Sequence, residues 1–260
     1  MSHKLAAKPY HWLAEYYDEF FAPARVPIDA ARRKILAPVL RDVRTACDLA
    51  CGTGATAMEL AREGIAMTAV DISPRMCRLS RAKARAAGVR LRVIRADMRT
   101  FRLNEPVDLI TCEGDALNHI PRRTDLARVA RAVARALRPG GYFYFDVNNS
   151  RGFEVYWTGT VCLEKPGVML VMRNGHNRQA NRAWSDIDWF VRNGRNWRRR
   201  HERVEEVCWS AGEITRTFQA AGFDDACGWD AAPFWAAGED KASPVNRGCR
   251  TLYLARKRRA

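Results

Sequence analysis

The segment ACDLACGTGATAMEL, residues 46–60, constrains this chain more than any other stretch. An apolar run, Thr45–Leu49, carries Asp48 and then breaks at Gly52-Thr53-Gly54. A helix-forming stretch, Ala55–Glu63, follows and stops at Gly64. Glycine has no Cβ, so its backbone turns sharply and lets a ligand come close. The start of the following helix offers free N–H groups to an anionic group. A second apolar run, Ile65–Val70, closes on Asp71. In nucleotide-binding sheets an acid at that position meets ribose hydroxyls. A glycine pair alone is weak evidence; with an acid about twenty residues on it is strong.

The alternation continues downstream. Ser73-Pro74 caps and opens a helix that stops at Gly88. Val89–Ile94 and Val107–Thr111 read as strands, Arg123–Leu137 as a helix broken by Pro139-Gly140-Gly141, and Tyr142–Val147 as a strand. Strand–helix alternation with short breakers predicts a parallel sheet covered by helices on both faces. Upstream, residues 9–22 read as an aromatic helix and 28–42 as a second helix. Between 161 and 209 the segments are strand-like, with Asn174-Gly175 and Asn193-Gly194 as hairpin signals. Trp184, Asp186, Asp188 and Phe190 alternate onto one face, and Ser185, Ile187, Trp189 and Val191 onto the other. A two-residue turn at Asn193-Gly194 puts Asp188 opposite Arg199. Ser210–Glu213 is a capping box before the helix Ile214–Ala221. Strands at Cys227–Asp230 and Arg250–Ala255 complete the sheet.

Two hundred and sixty residues fit one α/β domain with an insert. No run of about 18 apolar residues exists, so a membrane span is not expected. The start, MSHKLAAKPYHW, lacks the apolar core of a signal peptide, and a cytoplasmic chain is the expectation. Eight scattered Cys without CxxC pairs argue against disulfide frameworks and zinc ribbons, and no metal is expected. The net charge of +15, carried by 37 Arg and 7 Lys, suggests a nucleic-acid or acidic partner. That excess is spread, with 25 basic and 16 acidic residues in 1–150 against 19 and 13 in 151–260. Arg128, Arg131, Arg135 and Arg138 form a stripe at helical spacing and read as solvated scaffold. Only Arg195–Arg203 is a dense cluster; a nucleic-acid contact, an acidic substrate and a solvated strand face all stay open for it.

A dinucleotide fingerprint wants a third glycine where Ala57 stands, which does not by itself exclude NAD. The full set of motifs, however, resembles class I S-adenosylmethionine-dependent methyltransferases of small-molecule type. DLACGTG resembles that family's first motif, with Ala50 in place of its first glycine. RADMRTF, VDLITCEGDALNHI and RPGG before YFYFDV resemble its later motifs. The likeness is good over roughly 40–150 and looser beyond. It implies a Rossmann-like, mostly parallel seven-stranded sheet flanked by helices, with an antiparallel β-hairpin cap inserted after the fifth strand. The expected units are 1–150 for the N-terminal helices and cofactor-binding core, 151–209 for the cap, and 210–260 for the end of the core sheet. The resemblance also implies S-adenosylmethionine as cofactor. Asp48 would lie near its methionine end, Gly52 and Gly54 would cradle it, and Asp71 would hold the ribose. Asp97 and Met98 would meet the adenine, while Ala50, Cys51, Ile72, Met76, Cys112 and Asp115 would line the rest. Tyr17, in a Tyr-Asp pair on the first helix, would close over it.

Methyl transfer from a sulfonium is an in-line displacement that needs alignment more than a triad. A base is needed only when the nucleophile arrives protonated. His119 is the candidate for that base, or for a hydrogen-bonding positioner, with Asp115 beside it. A His in that place resembles the arrangement in small-molecule N-methyltransferases. Asn118, His119, Asp146, Asn148 and Trp184 are the candidate acceptor-side residues. The expected reaction is methylation of a small molecule at nitrogen or oxygen, by a monomer or homodimer. RNA or protein methylation, a non-catalytic cofactor-binding protein and a nicotinamide oxidoreductase are the rival readings. Strand four lacks an Asn/Asp-Pro-Pro-aromatic base-methylation motif.

Overall fold

The computed structural model describes residues 12–224, 226–230 and 248–259. The first helix is one continuous element, α1 (Leu13–Leu40), not two. The helix runs through Pro23 and Pro27, although each proline removes a helical hydrogen bond. Tertiary docking explains the difference. Its start packs aromatics on the inserted sheet, and farther along it is pinned by Arg25 and Arg32. Residues 9–11, expected to begin this helix, lie outside the described residues, as does Trp235.

The main sheet holds β1 (Thr45–Leu49), β2 (Ala66–Asp71), β3 (Arg92–Arg95), β4 (Val107–Cys112) and β5 (Leu137–Asn148). With β10 (Cys227–Asp230) and β11 (Arg250–Arg256) it has the order β10-β11-β5-β4-β1-β2-β3. The pairs among β1 to β5 are parallel, and β11 is antiparallel to both β5 and β10. The chain order reverses at β1, which lies between β2 and β4. In such sheets the crevice for ligands opens at the carboxyl ends of the strands at that switch. Helices α2 (Ala55–Arg62), α3 (Pro74–Ala86) and α4 (Arg123–Ala136) make the crossovers, and Ser73 caps α3 at 3.3 Å. The capping box at Ser210 and Glu213 opens α6 (Ala211–Ala220).

Alternation along β5 divides the core. Phe143 and Phe145 stack on one face with Phe218 and Tyr253. Tyr144 packs on the other with Leu36, Leu60 and Leu109. Helix α4 ends one residue earlier than expected, and Pro139-Gly140-Gly141 form an irregularity inside β5 rather than a break before it. Gly140 there has φ of 80°. Of the four arginines at helical spacing, none is buried.

After α5 (Ser150–Tyr156) comes a second, antiparallel sheet: β6 (Thr160–Lys165), β7 (Val168–Asn177), β8 (Arg182–Asn193) and β9 (Asn196–Val207). Tyr16 stacks on its Trp189 at 5.6 Å between ring centres, and Phe20 meets the same ring edge-on at 5.9 Å. Two hairpin expectations change. Asn174-Gly175 sits within β7, because a Cβ at Gly175 would lie 2.4 Å from the Trp184 ring packed over it. The turn comes later, where Asn177 accepts from the Ala180 N–H at 3.0 Å and Asn181 has φ of 50°. At the second hairpin Asn193 pairs with Asn196, so the turn is Gly194-Arg195. Asp188 therefore stands opposite His201, not Arg199. Its ion pair with Arg199 still forms diagonally, at 2.9 Å.

Candidate active site

The glycine turn leaves β1 through three residues of positive φ: Ala50 at 56°, Gly52 at 53° and Gly54 at 85°. A Cβ on Gly54 would lie 2.3 Å from Ser80 Oγ, while one on Gly52 would meet nothing within 4 Å. Gly54 is thus needed for packing against α3, and Gly52 leaves open space beside the turn. The Asp71 carboxylate at the end of β2 accepts from the Gly52 N–H at 2.9 Å and the Ser73 N–H at 2.7 Å. Burial pushes its titration up. Next to it, Ile72 is 60% exposed, an apolar side chain presented at the mouth of the crevice. Thr53 donates to Asp18 of α1 at 2.7 Å, and Lys83 pairs with the same carboxylate, so α1 is latched onto the turn.

A narrow cleft, open to solvent, lies between this turn, α1 and the end of β4. Tyr17, Arg25, Asp48, Ala50, Gly52 and Glu113 are among its lining residues. Asp48 is buried and accepts from Thr111 Oγ1 at 2.8 Å; burial, with Glu113 adding to it, pushes its carboxyl up to about 7. Glu113 accepts from Arg32 at 2.7 Å and from Thr56 Oγ1 at 2.7 Å, yet its Oε1 is buried without a hydrogen-bond partner. Arg25 reaches Thr56 at 2.8 Å. Burial also holds the Tyr17 hydroxyl up at about 12. An acid driven toward neutrality beside an orphaned carboxylate oxygen fits a ligand that brings positive charge. Asp48 and Glu113 would face that charge, and Asp71 a ribose.

Other expected contacts fall elsewhere. Cys112 and Met76 are packed into the core, not exposed in the cleft. The Asp97 carboxylate is taken by Arg99, whose hydrogen bonds hold it below the usual range, and the neighbouring Met98 is half-buried against the core. Trp184 lies on the face of the inserted sheet that carries Asp186 and Arg203, with the Arg203 guanidinium 5.4 Å from its ring centre. The face turned to α1 carries Trp189 instead, one pleat out of phase.

Beyond the cleft lies a polar network. Asp115, at φ of 52°, accepts from Asn148 Nδ2 at 2.7 Å and Arg250 at 3.1 Å. Asp146, fully buried, accepts from the Gly114 and Asp115 N–H groups and pairs with Arg250. Burial raises its titration. Asn118 is spent on structure: it donates to the Asn148 and Val207 carbonyls and accepts from the Asn148 N–H. His119 Nδ1 lies 3.2 Å from the Glu205 carbonyl, and its Nε2 lies 3.7 Å from Glu206 Oε1. Asp115, His119 and Glu206 offer side-chain N and O atoms within 4.8 Å of one another. The structure brings the expected residues His119, Asp115, Asp146 and Asn148 together, beside Arg250 and Glu206, which the sequence did not single out, as it did not single out Glu113, Arg25 and Arg32 of the cleft. Glu206 was readable only as the inward phase of RVEEV in β9; Arg250 had no signal beyond its place at a strand start.

Residues 46–141 match the family described as "Methyltransferase domain". The chain is 27% identical over 216 residues to the candidate methyltransferase YqeM of Bacillus subtilis (strain 168), covering 82% of this chain and 86% of that one. It is 32% identical over 108 residues to the ubiquinone biosynthesis O-methyltransferase of Serratia proteamaculans (strain 568), only 41% of this chain and 43% of that one. An S-adenosylmethionine-dependent methyltransferase from Clostridium acetobutylicum ATCC 824 has the same fold, with a TM-score of 0.78, 24% identity, and coverage of 96% of this chain and 100% of that one. The sugar N-methyltransferase KedS8 from Streptoalloteichus sp ATCC 53650 superposes with a TM-score of 0.71 at 21% identity, covering 99% and 96%. Residues 46–141 thus carry a methyltransferase domain, within a fold shared with S-adenosylmethionine-dependent methyltransferases. The carboxylates of Asp48 and Glu113 beside Gly52 give the cleft the charge that would face the sulfonium and amino-acid end of S-adenosylmethionine. Among the described residues no helix is long and apolar enough to cross a membrane.

Proposed function

We propose that the protein methylates an amine nitrogen of a small molecule. The observation that carries this reading is the charge of the acceptor side: Asp115, Asp146 and Glu206 converge there, with Arg250 as the fixed cation between two of them. A buried carboxylate needs a counter-charge or a proton. An ammonium supplies both, whereas a neutral hydroxyl supplies neither. When bound, S-adenosylmethionine supplies a methyl group activated by positive sulfur. The protein's own part is to align the acceptor nitrogen, exclude water and take up its proton. Asp115 orients the nitrogen, and His119 stands beside it as the proton acceptor. The inserted sheet and the aromatic half of α1 cover this end. Among the similar structures are a sugar N-methyltransferase and an amino pentose methyltransferase, in keeping with this reading.

Nucleic acid is the less favoured acceptor. Within the cluster 195–203, Arg199 pairs with Asp188, Arg203 with Asp186 and Glu205, and Arg200 stacks over Trp12. Those cations already have partners within the chain. The test is transfer of labelled methyl groups from S-adenosylmethionine to a panel of amines, alcohols, total RNA and protein. Label on amines is expected. Label on alcohols alone, or mainly in RNA, overturns the reading.

A further inference from the structure

We propose that Glu206, delivered by the inserted sheet, forms with His119 a proton-holding pair that receives the acceptor's proton. This inference rests on the amine reading above. The Glu205 carbonyl can only accept, so His119 Nδ1 carries hydrogen. In neutral His119 the remaining lone pair, on Nε2, is therefore aimed at Glu206 Oε1, 3.7 Å away. A lone pair facing a carboxylate repels it; one proton between them converts repulsion into a charge-assisted hydrogen bond. Catalytic hydrogen bonds in ligand-free structures are often long and close only around the substrate.

Glu206 is 3% exposed, and its other oxygen accepts from Asn148 Nδ2 at 3.2 Å. The charged groups facing the pair are Asp115 before the His119 turn, Asp146 on β5 and Arg250 on β11. The Glu205 side chain turns away to Arg203. Three carboxylates around one arginine leave a net negative charge that favours holding a proton. Burial lowers the titration of His119 and raises that of Glu206, which matches one proton shared between the two. In the reaction the acceptor ammonium gives its proton to His119 Nε2. The freed lone pair then forms the N–C bond as the C–S bond breaks and its electrons stay on sulfur. The pair later releases its proton to water.

Glu206 is a positioning residue: it acts on the acceptor proton through His119. The test is 15N NMR of histidine-labelled protein saturated with S-adenosylhomocysteine, with His119 assigned from the His119→Asn spectrum. The neutral ring is expected as the Nδ1–H tautomer. Its Nε2 midpoint should fall by about one to two pH units in Glu206→Gln, because a facing carboxylate is lost. The amide introduced by that substitution keeps the Asn148 contact, so a purely structural role predicts no shift. An unchanged midpoint, or an Nε2–H tautomer, overturns the proposal without touching the methyltransferase reading. Failure to label any amine overturns that reading whatever the midpoint does.

Discussion

Cofactor affinity should rise with pH through Asp48. Burial holds this carboxyl at about 7 in the ligand-free protein, against an ordinary value of 3.8. A ligand that brings positive charge beside it favours the ionised form. A group with midpoint 7 is about one-tenth ionised at pH 6 and nine-tenths at pH 8, so the dissociation constant should tighten about tenfold, or roughly 1.4 kcal/mol. Stability runs the other way. A carboxyl whose folded value is raised contributes stability that is full below its unfolded value and is lost as pH rises through the folded one. A shift of about three units corresponds to an upper bound of about 4 kcal/mol lost by pH 8. Asp48→Asn removes that loss, so the variant should melt higher than wild type at pH 8 while binding the cofactor more weakly. The assay is calorimetric titration with S-adenosylmethionine at pH 6 and pH 8, in buffers of different ionisation enthalpy to count released protons. A pH-independent affinity in wild type, or the same slope in Asp48→Asn, refutes the reasoning.

Arg250→Met leaves Asp146 buried without its cation and should cost about 3–5 kcal/mol in urea unfolding; a loss under about 1 kcal/mol would show that Asp146 is neutral. Gly54→Ala places a methyl 2.3 Å from Ser80 Oγ at positive φ, so calorimetry should show both a lower melting temperature and weaker S-adenosylhomocysteine binding. Against the raising effect of burial, hydrogen bonds from Arg199, Arg173 and His201 hold Asp188 down at about 2. The stability it contributes is present above its unfolded value and lost as pH falls through about 2. Asp188→Asn should therefore be less stable than wild type at pH 7, and the difference should close by about pH 2 in acid melts; a gap that persists there contradicts the assignment.

The parallel half of the fold was legible because several of its elements end on punctuation: glycines after β1, Ser-Pro after β2, Gly88 after α3. The hairpins were misread by position because Asn-Gly is a local signal. Packing of Trp184 against Gly175 and the pairing of Asn193 with Asn196 are long-range facts that outvote it. The same holds for Pro23 and Pro27, which argue for a break that α1's docking suppresses. In the site, residues beside the glycine turn and after β4 could be found because they stand next to motifs. Glu206 and Arg250 could not. They reach the site from strands remote in sequence, through topology alone; Glu206 reads locally as one more charge in a charged run, and Arg250 as a lone charge at a strand start.

The account stands most directly on cofactor binding in the β1–β4 crevice. A crystal structure of the protein soaked with S-adenosylhomocysteine measures it. Density is expected with the ribose at Asp71, the adenine over Ile72 and the amino-acid end toward Asp48 and Glu113. An empty crevice in a crystal that takes up NAD there instead would contradict the account.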